Sequence, residues 1–84
     1  MKFKISQHAL DEIKRRGIPF PFVESVLEAP QQIVSEYGGK KAYQSQVDFG
    51  GGKIFLVRAI VDDEVEPAMV VTVYRTSKVD KYWR

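Results

Sequence analysis

Arg58 is the residue in this chain that most needs a chemical explanation. It interrupts Ile54, Leu56 and Ile60 on one face of the stretch Lys53 to Asp62. A guanidinium is costly to bury unpaired, which leaves three outcomes open. It finds a carboxylate (Asp11, Glu12 and Asp48 are candidates), it reaches an edge, or it faces a groove that holds a ligand. With the loop between the last two strands centred near Glu64–Val65, Arg58 falls opposite Thr72 and shares a face with Tyr74. Gln44 and Gln46 join that face from the neighbouring strand. Arginine, tyrosine, threonine and glutamine side by side on a sheet resemble a phosphate-binding surface more than a core.

The second concentration of chemistry lies at the end of the chain. The ten residues from Arg75 to Arg84 hold four basic side chains (Arg75, Lys78, Lys81, Arg84) against one acid, Asp80, with Tyr82 and Trp83 among them. Cations for phosphates and flat rings for unstacked bases are what single-stranded RNA requires. The plain alternative is a solvated tail with Tyr82 and Trp83 packed back as an anchor. The one histidine, His8, is the residue type that exchanges protons near neutral pH. It is either a general acid or base, or a structural hydrogen-bonding residue beneath the sheet.

Composition bounds these readings. The 84 residues have no cysteine and one histidine, 44% hydrophobic and 29% charged side chains, and a net charge of +2. That is one small globular domain, 1–84, without disulfides, thiol nucleophile or thiolate metal site. The glycine-rich stretches fit neither a P-loop nor a dinucleotide fingerprint. The carboxylates of 62–66 lack EF-hand spacing, and no serine sits in a nucleophile elbow. The expectation is chemistry without metal or cofactor. The start lacks the apolar stretch of a signal peptide and no run is long enough to span a membrane, so the expected location is cytoplasmic, with no membrane partner.

The elements that must position these groups are legible in the pattern. Ser6 caps a helix running to Arg16, with Ala9, Leu10 and Ile13 as its apolar stripe, Ile5 stapled to Leu10, and pairs Asp11–Arg15 and Glu12–Arg16. Gly17 stops it. Pro21 suits the first turn of a second helix that buries Phe22, Val23, Val26 and Leu27 and ends before Pro30. Strands follow over Gln32 to Tyr37, Lys41 to Phe49, Lys53 to Asp62 and Met69 to Arg75, the third apolar on both faces and therefore central. The expected fold is α+β: an N-terminal helical hairpin packed on a four-stranded antiparallel sheet.

Several short motifs carry a family resemblance. They are Ile5-Ser6-Gln7-His8-Ala9, Arg15-Arg16-Gly17-Ile18, Val26 through Pro30, Val71-Thr72-Val73-Tyr74-Arg75 and Lys81-Tyr82-Trp83-Arg84. In this order they resemble a family of short bacterial domains similar to the RelE/BrnT-like toxins. The resemblance implies the toxin of a type II toxin–antitoxin pair, an endoribonuclease that cleaves mRNA, commonly at the ribosome, without metal or cofactor. Its partners would be RNA and a cognate antitoxin protein.

Such enzymes drive the RNA 2′-hydroxyl onto the adjacent phosphate. A proton must leave the hydroxyl, the crowded phosphorane must be neutralised, and the leaving oxygen must be protonated. On this reading Arg58 and Arg75 stabilise the phosphorane, and His8 or Tyr74 carries the proton. Gln44, Lys78, Lys81, Tyr82 and Arg84 bind RNA. The chain is less basic than many ribosome-directed toxins. A non-catalytic RelE-like module that binds RNA or a protein partner is the alternative, and a bare structural domain solubilised by its cations is the third reading.

Overall fold

Ser6 organises the beginning of the chain. In the computed structural model, which describes residues 3–84, its Oγ accepts from the Ala9 N–H at 3.0 Å and caps α1, Gln7–Arg15. The same Oγ donates to the Val71 carbonyl at 3.0 Å, tying the cap to the sheet. Gly17 follows the helix with φ of 64°, a left-handed turn that costs a glycine little. Glu12 pairs with both Arg15 (2.7 Å) and Arg16 (3.0 Å). Their hydrogen bonds hold its carboxyl down from the ordinary 4.5 to about 2. Asp11, expected on Arg15, accepts from Gln7 instead. Ile5 packs against the core while Leu10 is exposed, so the expected staple does not define the entry. The second helix, α2, spans Phe20–Glu28 with Pro21 in its first turn and buries Val23, Val26 and Leu27.

The sheet corrects the expected fold. Four strands were legible, β2 (Gln32–Ser35), β3 (Lys41–Asp48), β4 (Ile54–Asp62) and β5 (Ala68–Thr76), and they form an antiparallel meander. A fifth, β1 (Phe3–Ile5), adds to the outer side of β5 in parallel, so the sheet is five-stranded and mixed, in the order β1-β5-β4-β3-β2. The expected four-stranded antiparallel sheet is therefore wrong. Three residues hold too little alternation to signal a strand. What makes β1 is tertiary: Phe3 and Ile5 pack against the core beside Ala68 and Val70, Lys4 stays exposed, and the Ser6 N–H continues the ladder to the Val70 carbonyl at 3.0 Å. The helices also divide the sheet between them, α1 lying on β5 and α2 on β3 and β4.

Alternation then sorts the side chains. Tyr43, Val57, Ala59, Val61, Val70 and Val73 meet Ala9, Ile13, Val23, Val26 and Leu27 in one core on the helix side. The intervening residues Ala42, Gln44, Leu56 and Arg58 lie on the far face and are also buried. A bulge between Ile60 and Val61 leaves Val71 as the extra residue of β5, which is the carbonyl that Ser6 reaches. It also moves the register by one of the two residues that separate the expected pairing from the observed one: Arg58 faces Tyr74, and the expected opposite number, Thr72, faces Ile60. The far face is covered by a one-turn helix, α3 (Val79–Tyr82), absent from the sequence reading because four residues show no period.

Candidate functional site

On the far face, Arg58 sits at the centre of a closed polar cluster. It is 3% exposed, and each guanidinium nitrogen has a partner. Nε donates to Gln44 Oε1 at 2.7 Å, Nη1 to the Tyr74 hydroxyl at 2.6 Å and Nη2 to Glu36 Oε2 at 2.8 Å. The carboxylate partner is Glu36, beside the 3-10 turn Tyr37–Gly39, and not Asp11, Glu12 or Asp48. The Tyr82 ring covers the guanidinium from 4.2 Å, with the Tyr74 ring 6.3 Å from it, edge to face. Gln44, fully buried, donates to Gln32 Oε1 at 2.9 Å and to the Tyr82 carbonyl at 3.2 Å. Among the described residues no buried side-chain nitrogen or oxygen lacks a partner.

This arrangement decides what Arg58 can do. An arginine with a carboxylate, an amide, a phenol and a ring already on it has no free edge for a phosphate. Tyr74 is similarly committed. Burial pushes its phenol above the ordinary value, against the pull of the Arg58 hydrogen bond and charge. It stays protonated at neutral pH.

Arg75 presents the opposite situation. One residue beyond Tyr74, it falls on the helix side of the sheet, at the end where the Gly50-Gly51-Gly52 turn joins β3 to β4. Phe22, Phe49 and Phe55 stack edge to face there, with centroids 5.1 and 5.2 Å apart. The Arg75 guanidinium lies over two of these rings, 4.8 Å from Phe49 and 4.7 Å from Phe55. None of the ion pairs among the described residues involves it.

The expected site residues thus fall into three places. Arg58, Gln44, Tyr74 and Tyr82 come together on the far face. Arg75 and His8 belong to the helix side, His8 exposed on the first turn of α1. Lys78 and Lys81 are exposed along the C-terminal segment, Lys81 Nζ lying 5.4 Å from the Tyr82 ring, and the Arg84 backbone is held by Gln32 through bonds of 2.7 and 3.2 Å. So the four expected catalytic residues do not converge. Gln46 is exposed, and its N–H bonds the Gln31 side chain at 3.0 Å.

Sequence reasoning missed Glu36, Gln32, Phe49 and Phe55 as partners. For the two phenylalanines a signal existed, since alternation puts both on the face opposite Tyr74, which is the face of Arg75. Glu36 and Gln32 had none, because their approach depends on how β2 ends and on α3.

Among the described residues there is no enclosed pocket, no group of three side chains suited to a metal ion, and no helix long and apolar enough to cross a membrane. No curated protein and no solved structure matches the chain. One family model does match, over residues 5–75, a span that includes His8, Glu36, Gln44, Arg58, Tyr74 and Arg75; the chain belongs to that family, described as Domain of unknown function (DUF4258).

Proposed function

We propose that this domain binds single-stranded RNA, as a module of the RelE/BrnT-like kind it resembles in sequence, and that Arg75 is its principal phosphate contact. The observation that carries the reading is the Arg75 guanidinium, 4.8 and 4.7 Å from the Phe49 and Phe55 ring centroids and in none of the ion pairs among the described residues. The two rings hold the guanidinium through cation–π attraction while leaving its N–H groups for two phosphate oxygens. The neighbouring rings supply faces for bases, and Lys78 adds a cation near by in the chain. Arg58 supports the reading by being occupied: it leaves Arg75 as the sheet arginine that RNA can reach without breaking an internal bond.

Cleavage is the second reading. The domain would then be the toxin of a type II pair, a metal-independent endoribonuclease in the cytoplasm with an antitoxin protein as partner. One observation favours it: α1, which carries the exposed His8 in its first turn, packs on the side of the sheet that also carries Arg75. The separation of both from Tyr74 makes binding the better supported of the two.

The test is a titration of a short end-labelled oligouridylate with purified protein at low salt, followed by analysis of the RNA ends. Arg75→Ala is expected to weaken binding about ten-fold while the protein stays folded, its melting temperature falling by only a few degrees. Cyclic phosphate ends that disappear in Arg75→Ala would establish the second reading. Absence of binding by the unaltered chain would end both.

A further inference from the structure

The C-terminal segment does not trail into solvent. It leaves β5 after Thr76 and crosses the far face: Tyr82 meets Tyr74 of β5 and Arg58 of β4, its carbonyl accepts from Gln44 of β3, and Arg84 binds Gln32 of β2. Three inter-strand gaps separate β5 from β2, so the crossing is roughly 14 Å long. Lys78, Lys81 and Arg84 are exposed along it, and Arg75, the last residue but one of β5, lies on the other side of the same sheet end. None of the apolar or aromatic residues of α3 or beyond belongs to the helix-side core. The segment is tied down by two glutamine amides and by the Tyr82 ring over Arg58.

We infer that the Arg58 cluster is a positioning device. It holds segment 78–84 across the sheet, so that its cations continue the Arg75 corner as one fixed path for a single strand of RNA. The inference rests on the RNA reading given above and deepens it. Arg58 touches no phosphate; it acts through Tyr82. A flexible tail with the same charges must lose conformational freedom on binding, whereas a segment already docked has lost it beforehand. The cluster also accounts for a buried arginine on a far face that otherwise carries only Ala42 and Leu56 as its fully buried apolar residues.

Trp83 is the single tryptophan, so its fluorescence reports directly on docking of the segment. Tyr82 is half-buried and outside the core, which keeps its variants folded; circular dichroism verifies this. In Tyr82→Ala, Trp83 should become open to acrylamide quenching, and oligouridylate affinity should fall about five-fold. In a Lys78→Ala/Lys81→Ala/Arg84→Ala background the same change should cost nothing further, because the cations it positioned are gone. Tyr82→Phe, which keeps the ring on Arg58, should retain both docking and affinity. An unchanged Trp83 signal in Tyr82→Ala would overturn the inference, as would freed Trp83 with unchanged or tighter RNA binding, which would make the segment a cover. Either result leaves the RNA reading standing if Arg75→Ala still weakens binding, whereas an unaltered chain that binds no RNA removes both.

Discussion

Two arginines at neighbouring register positions on adjacent strands have been given opposite environments. Arg58 faces Tyr74 across the β4–β5 ladder, and Arg75, the next residue, faces the other way. Arg58 is buried with a carboxylate, an amide, a phenol and a ring. Arg75 rests on two phenylalanine faces and is half-exposed. The first has exchanged its hydration for internal partners, so its charge is an internal matter. The second keeps its hydrogen-bonding edge. Residue type alone points to phosphate chemistry at both; only the count of partners separates them. In this chain, a buried basic residue within a strand marks architecture, and the half-exposed one beside aromatics marks the surface.

The strongest way to break this contrast is to truncate each arginine. Arg58→Ala leaves Glu36, Gln44 and Tyr74 without their shared donor and opens a cavity under Tyr82. It should cost about 3–5 kcal/mol, as breaking a buried pair does. Arg75→Ala removes a guanidinium stacked on half-exposed rings and should cost about 0.5–1 kcal/mol. Urea denaturation of the two variants measures both. Equal losses would show that Arg75 is also structural and would remove the contrast. A narrower cut is Glu36→Gln, which keeps an acceptor for Nη2 but removes the negative charge. A loss of about 1–3 kcal/mol in the same measurement indicates that the charge of Glu36, and not merely its hydrogen bond, holds Arg58. A negligible loss would mean that the neutral partners and the two rings suffice.

The contrast also explains which parts of the molecule could be read in advance. Ser6, Gly17, Pro21 and Pro30 act through their own backbone geometry, so both long helices were legible with their ends. The alternating strands β3 to β5 were legible because their period lies in the residues themselves. β1 was not, because Phe3-Lys4-Ile5 becomes a strand only when β5 offers it an edge and the core takes its two apolar side chains. The site divides in the same way. That Arg58, Gln44 and Tyr74 share a face follows from alternation. That Glu36 closes the cluster does not, since it joins a turn to a strand 22 positions along the chain. Tyr74 stands opposite Arg58 in place of Thr72, a shift of two residues; the bulge at Val71 supplies one and the position of the β4–β5 loop the other, both invisible in composition or period. Tyr82 was weighed both as an anchor and as an RNA-binding ring; its stack on Arg58 gives it the anchor's place.

The finest test uses the Tyr74 phenol of the Arg58 cluster. Burial raises the Tyr74 phenol above its ordinary 10.0, so the folded chain holds this proton more tightly than the unfolded chain does. Between pH 10.0 and the folded value, the unfolded state releases the proton first. Stability contributed by this group is therefore complete below pH 10.0 and is lost as pH rises through the folded value. Nothing equivalent touches Arg75, whose neighbours Phe49 and Phe55 do not titrate. Thermal unfolding followed from neutral into alkaline pH should therefore fall less steeply in Tyr74→Phe than in the unaltered chain, while Arg75→Ala should follow the unaltered chain. The difference is small, because the phenol is only partly buried. Its sign is nevertheless decisive: identical slopes in Tyr74→Phe and the unaltered chain would mean that the Arg58 cluster exchanges with solvent as freely as the Arg75 corner.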